Sequence, residues 1–284
     1  MAPGVELALG AMIFLGLADL AYQRGAAAGV QPHHFLMGQG WCFAPLVFAY
    51  GLVTGTLAPG PAFLWGMGAG VFVFVALYHF ASALKRGTVS IVAPIFRLSF
   101  TVTVALAIVL LGEAFTAWKM GGLALTLAAV WLLLGGEDTG RIPAGASTRA
   151  LTHALVAMAA MGVANFLYKV GAATGGTPAT FIAGQASVFL PLSTAFAWIT
   201  DRGLRPPRAL WPPAAAAACS FLVALFLLFA SLERGEASVL VPITQMGFVV
   251  TAAFGVLVLK EPLKPRKAAG LACAVAALGA LARG

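Results

Sequence analysis

Residues Leu84 to Ala124 recur without a gap 148 residues further along the chain, with 16 of 41 positions identical, where so biased a composition gives about 4 by chance. The matched positions include Arg86 with Arg234, Gly87 with Gly235, Pro94 with Pro242, Phe100 with Phe248, Thr103 with Thr251, Glu113 with Glu261 and Gly122 with Gly270. A second stretch, Ala18 to Ala49, recurs at a shift of 146 with 14 identities in 32, among them Tyr22 with Tyr168, Pro32 with Pro178, Gln39 with Gln185 and Pro45 with Pro191. The chain is therefore two copies of one unit, residues 1–140 and 141–284. Whatever fold it adopts must pack that unit twice.

The unit is made of long apolar runs. Gly, Pro or charged residues punctuate ten of them, at 3–22, 33–52, 62–84, 88–111, 118–135, 151–172, 178–200, 210–232, 236–259 and 267–283. A bilayer core of about 30 Å needs about 20 helical residues per crossing, whereas a barrel strand needs only about 10 with alternating faces. The runs fit helices and exclude a barrel. Composition names the solvent: 9% of residues are charged and 61% are hydrophobic, against the roughly 25% charge that covers a soluble domain. The expected class is an all-α integral membrane protein with ten transmembrane helices, and the short loops leave no room for a separate soluble domain.

The minor features agree. The net charge of +8 reads as loop charge that orients the chain, so no nucleic-acid partner is expected. Cys42, Cys219 and Cys273 lie singly in apolar runs and read as small core residues, with neither a disulfide frame nor a metal site. Met1 to Leu20 holds no Lys or Arg, so this segment reads as the first spanning helix and not as a cleavable signal.

Five helices per copy is an odd number, so the second copy must enter the membrane from the opposite side. Two inverted copies have two nearly equivalent packings around a central site at their interface, the geometry that alternating access requires. Loops after odd-numbered helices hold 12 Lys or Arg, while the other side holds Lys119, Lys169, Arg234 and Arg283. By the positive-inside rule the odd-numbered loops are cytoplasmic and both termini face outward.

The repeated segment reads ALKRGTVSIVAPIFRLSFTVTVALAIVLLGEAF in the first copy and SLERGEASVLVPITQMGFVVTAAFGVLVLKEPL in the second. This pattern of Arg-Gly, an early helical proline and an apolar run closing on Glu resembles the EamA unit of the drug/metabolite transporter superfamily, over nearly the whole chain. The resemblance implies a secondary transporter of the cell (inner) membrane, with export of amino acids or other metabolites, or carriage of nucleotide sugars, as the related activities. It also implies cytoplasmic termini, opposite to the charge count. Where aromatic amino-acid exporters of that superfamily carry Asn-Tyr-Leu-Trp-Pro, this chain has Pro94, Ile95, Phe96 and Arg97.

Arg97 is the most informative single residue. It falls about nine residues into the fourth run, close to the midplane, where an unpaired charge costs about 2.5 kcal/mol or more. A guanidinium there matches a carboxylate, phosphate or sulfate bidentately; the alternative is a buried ion pair, with Asp19 the leading partner. Gln245 is its repeat counterpart, so a shared cavity would present a charge on one side and a neutral amide on the other. Asn165 is the counterpart of Asp19, and Gln39 and Gln185 form a symmetric polar pair that serves either substrate or helix packing. Tyr78 and His79 offer an aromatic wall and a group titrating near neutrality, and a proton taken up by Asp19 or His79 is the coupling ion these residues suggest. His33 and His34 start the second run as interfacial residues. Pro94 and Pro242 are expected as hinges. Glu113 and Glu261, at helix ends beside lysines, read as caps or ion-pair partners, and Gly66 with Gly70 as a packing contact.

Other function classes lack their motifs. The chain has no HExxH, GxSxG or Walker loop, so neither an enzyme nor a cofactor is expected. The lysines occupy loops and helix ends, which argues against a retinal-type pigment. A channel-like or neutral or cationic metabolite permease of the same fold is the alternative to a carrier for an anionic or amino-acid-like metabolite. The oligomeric state is left open between monomer and homodimer.

Overall fold

A computed structural model describes residues 2–84, 89–134, 148–202, 204, 206–258, 260 and 264–283. Among these residues the regular structure is helical: α1 (Val5–Ala27), α2 (Pro32–Val53), α3 (Pro61–Leu84), α4 (Val89–Arg97), α5 (Ser99–Leu111), α6 (Ala117–Leu134), α7 (Thr148–Ala173), α8 (Pro178–Asp201), α9 (Trp211–Arg234), α10 (Ala237–Gln245), α11 (Gly247–Leu257) and α12 (Pro265–Leu281). Four of them begin on proline, whose fixed φ suits the first turn and whose missing N–H is not needed there. Eight segments are long and apolar enough to cross a membrane, two of them being α4 with α5 and α10 with α11; Ala117–Leu133 is a shorter apolar helix. Of the repeated residues, Arg86, Gly87 and Glu261 lie outside the described residues, as do the loop cations Lys85, Arg141 and Arg205.

The runs at 88–111 and 236–259 are each expected as one helix hinged at its proline. Each is instead broken in two, and the break follows the proline by a turn. Leu98 (φ −70, ψ 0) separates α4 from α5, and Met246 (φ −79, ψ 15) separates α10 from α11. Pro94 and Pro242 stay inside the first segments. At the break the ladder tightens: the Leu98 N–H is shared between the Pro94 and Ile95 carbonyls at 3.2 and 3.0 Å, and the Met246 N–H reaches Ile243 at 3.1 Å. Proline withholds a donor and crowds the preceding turn, and the following residues close with the shorter bonds typical of a helix end. The consequence for function is positional. Arg97 and Gln245 are the last residues before the two breaks.

The helices pair mainly across the copies. α1 packs on α9 as α7 packs on α3; α1 meets α11 as α7 meets α5, and α1 meets α10 as α7 meets α4. α2 packs on its own counterpart α8, and α6 on α12, so the matched helices of these two pairs meet each other directly. Glycines set the spacing with the same symmetry. A Cβ on Gly16 would stand 2.7 Å from the Gly247 carbonyl oxygen, and one on Gly162 would stand 2.7 Å from that of Ser99. Lipid gives helices no hydrophobic reason to associate, so close backbone approach and dispersion must hold them. Gly66 and Gly70 serve that purpose: added Cβ atoms would lie 2.0 Å from the Phe181 oxygen and 2.6 Å from the Gln185 oxygen, both on α8.

Candidate functional site

The polar residues of the helices sort into two sets related by the repeat. In the first copy Arg97, at the end of α4, donates through Nη2 to Asp19 Oδ2 on α1. Tyr22 lies one helical turn beyond Asp19 on the same face, and its hydroxyl donates to Gln39 Oε1 on α2. In the second copy Tyr168 on α7 donates in the same way to Gln185 Oε1 on α8. Each amide thus holds a tyrosine and not the opposite amide. Gly25 and Gly171 make room beside them: a Cβ on either would strike the ring of Phe35 or Phe181, the rings on which Tyr22 and Tyr168 pack at 4.3 and 4.5 Å between centroids.

Chemistry separates the sets where geometry does not. Asn165 and Gln245 stand where Asp19 and Arg97 stand, so no ion pair can form in the second copy. The Asn165 side chain is 5% exposed and its Nδ2 has no hydrogen-bond acceptor, whereas Gln245 is half-buried. Tyr168 is 2% exposed, but Tyr22 is half-buried, and the side chains of Arg97 and Asp19 keep 19% and 26% exposure. Asp19 and Tyr22 are thus more exposed than their counterparts Asn165 and Tyr168, while Arg97 and Gln245 are both half-buried and Gln39 and Gln185 both buried. A guanidinium held by one carboxylate has further N–H donors for a second anion, and the carboxylate it leaves can take a cation or a proton.

The structure places the other expected residues elsewhere. Tyr78 is exposed on α3 and packs edge-on against Phe196 at 5.0 Å. His79 Nδ1 lies 2.8 Å from His153 Nδ1 on α7, so one imidazole must donate where the other accepts, which interlocks their protonation states. His153 attracts no attention in the sequence, because it stands 74 positions away and only the packing of α3 on α7 brings it near. A groove of about 660 Å³ opens between α2 and α8, lined by Trp41, Pro45, Leu190, Pro191, Thr194 and Trp198. Its walls are apolar and contain none of the polar residues above.

A second constellation surrounds the turn between α9 and α10. Expected to cap the helix that follows it or to pair with a basic residue, Glu113 caps a helix of the other copy, accepting the N–H groups of Ala237 and Ser238 at 2.8 Å each. A carboxylate at a helix N-terminus satisfies donors that the helix itself cannot. Lys119 is fully buried and its Nζ donates to the Ala114 carbonyl at 2.6 Å and to the Glu236 carboxylate. Lys169 ties off α9 from the side, donating to the Leu232 and Gly235 carbonyls at 2.7 and 2.6 Å. Glu113 and Lys119 thus join the two copies, and Lys169 braces the second, at the end of the bundle where both termini lie; Ala2 N bonds the Ala282 carbonyl there at 2.7 Å.

Comparison with known proteins agrees with this architecture. The sequence matches the EamA-like transporter family twice, over residues 2–135 and 148–282, one match per copy. A search of curated proteins found no match. Among 27 solved chains that match, one crystal structure is 18% identical, superimposes with a TM-score of 0.83, and covers 98% of this chain and 95% of its own. At that identity the likeness speaks for the fold alone. On the two family matches, one over each copy, the chain belongs to the EamA-like transporter family, whose members are multi-pass membrane transporters of small molecules.

Proposed function

We propose that the chain is a secondary carrier that moves a small organic metabolite bearing an anionic group, with export as the direction, by alternating access between two inverted five-helix copies. Counting each broken pair as one passage gives ten crossings, from 12 α-helices less two breaks. The observation that carries the substrate class is the accessible Arg97–Asp19 pair at the end of a broken helix, where unwound backbone and a fixed charge meet near the bundle centre. When the site is empty Asp19 neutralises Arg97; an arriving carboxylate or phosphate takes over the guanidinium, and the freed Asp19 is the group that binds a proton. Gln245, Asn165, Tyr22, Gln39, Tyr168 and Gln185 supply neutral donors and acceptors around it. Tyr78 and the His79–His153 pair lie on the route toward the end of α3.

The test is a thermal-shift screen of the detergent-purified protein against organic acids, amino acids, sugar phosphates and amines, with Arg97→Ala in parallel. Ligands that bind only the folded state raise Tm by mass action. An anion that stabilises the wild type and not Arg97→Ala is the expected result. Neutral or cationic ligands that stabilise both equally would make Arg97 structural and turn the reading toward a permease for uncharged or cationic metabolites. For coupling, transport in proteoliposomes is expected to follow an imposed pH gradient, and uptake indifferent to that gradient rules the proton out.

A further inference from the structure

We propose that His33, His34 and Asp201 form a binding site for a divalent transition-metal ion of the zinc type, which ties the start of α2 to the end of α8. Read singly in the sequence, the two histidines are interfacial residues. The fold carries Asp201 to them across 168 positions. His33 Nε2 lies 3.1 Å from both Asp201 carboxylate oxygens, and His34 Nε2 contacts Oδ2. One ligand atom from each residue falls within 4.8 Å of the others. Zinc bonds of about 2.0–2.2 Å at tetrahedral angles set neighbouring ligand atoms roughly 3.3 Å apart, close to the spacing of His33 and Asp201. Two imidazole nitrogens and a carboxylate oxygen suit zinc or its neighbours better than calcium or magnesium. They leave one position for water on the side where Asp201 is exposed.

A plain ion pair is the alternative for the same atoms. The His34 side chain is 12% exposed; its Nε2 meets the Asp201 carboxylate, while its Nδ1 is buried with no hydrogen-bond partner. As an ion pair Asp201 must serve two imidazoles at once, whereas a metal ion uses the lone pairs of all three groups and needs no proton on the coordinating nitrogens. The related junction at the other end of the same two helices is built differently. There Thr177 and Thr180, the latter the counterpart of His34, donate their hydroxyls to the Thr56 carbonyl at 2.7 and 2.8 Å, and Thr180 also accepts the Ala58 N–H at 3.1 Å. One end of the α2–α8 contact is closed by permanent hydrogen bonds. The other is closed by groups whose association depends on what they ligate, and the two helices belong to different copies.

The experiment uses the full chain, carrying no histidine tag, stripped with chelator and titrated with zinc chloride by calorimetry. One zinc per chain in the micromolar range or tighter is expected, weakened about tenfold or more by His34→Ala and by Asp201→Asn, and unchanged by His153→Gln, which leaves the other histidine pair incomplete. Cobalt(II) in the unaltered protein is expected to give the visible absorption of a tetrahedral site, displaced by zinc; this readout stands even where a variant does not fold. No zinc binding at millimolar concentration, a cobalt spectrum without tetrahedral bands, or zinc affinity unchanged in both variants would overturn the proposal. None of these readouts involves transport, so the carrier reading and the metal site fail independently.

Discussion

The two copies place the same backbone around different chemistry, and the comparison separates what holds the protein together from what lets it select. Tyr22 on Gln39 and Tyr168 on Gln185 are the same contact made twice, as are Gly16 on α11 and Gly162 on α5. Such positions repeat because the two-fold packing needs them twice. Asp19 and Arg97 against Asn165 and Gln245 are where the copies part. On the carrier reading proposed above, a ligand between the copies would meet a charged pair on one side and neutral amides on the other, an arrangement that suits an asymmetric metabolite. Burial differs most at one of these positions: Asp19 keeps 26% exposure where Asn165 keeps 5%.

The comparison is broken most severely at the helix contacts. Gly184→Val would drive a side chain into the Phe63 carbonyl, 2.2 Å from where a Cβ would stand, and backbone cannot yield as a side chain can. Its counterpart Gly38 faces only the side chain of Leu210 at 2.7 Å. Overpacking of this kind costs about 1–3 kcal/mol or more; Gly184→Val is expected to abolish the folded monodisperse peak in size exclusion, while Gly38→Ala lowers Tm by a few degrees. Equal loss in both would mean that α3 and α9 pack on α8 and α2 alike.

The next largest effect sharpens the division between charged and neutral sets. The double variant Asp19→Asn with Arg97→Gln gives the first copy the chemistry of the second. Since it removes both charges together, it avoids leaving a lone ion in an apolar setting, and its Tm is expected within a few degrees of the wild type. Its response to the stabilising anion is expected to vanish. Arg97→Gln alone leaves Asp19 without its cation and is expected to be the less stable of the two, measured in the same melt.

Smaller differences test burial. Tyr168→Phe leaves the sealed Gln185 oxygen without its donor, a loss of about 1–3 kcal/mol. Tyr22→Phe removes the same bond from a tyrosine that is only half-buried, and is expected to cost less; a Tm drop larger for Tyr22→Phe would mean that Tyr22 is no more open than Tyr168. Glu113→Gln keeps one of two acceptors at the start of α10, turns the other into an NH2 that faces a backbone N–H, and loses a charge worth about 0.3–1 kcal/mol at a helix N-terminus; a Tm drop of a few degrees is expected, its charge component shrinking in high salt.

Much of this architecture is legible in the residues. Apolar runs of about 20 announce helices, since lipid allows no other solution for their backbone, and the repeat announces that one helical unit comes twice. The pairing of Arg97 with Asp19 is one of the two readings its midplane position allows. The same reasoning reads each broken helix as continuous, because proline marks a disturbance without saying which later residue absorbs it. It also passes over Lys119 with Glu236, 117 positions apart, and His79 with His153, since nothing local distinguishes a histidine that meets another from one that faces lipid.

From sequence alone come the solvent, the helical class, the duplication and the positions where the copies differ, because each follows from local hydropathy or from comparing the chain with itself. The tertiary structure decides how deeply each polar residue is buried, which helix of one copy packs on which helix of the other, and that Glu113 caps α10 while Asp201 meets His33 and His34. Those outcomes depend on the rotation and depth of one helix against another. In a bilayer that register is chosen by the summed fit of many small side chains, and no single stretch of sequence contains it.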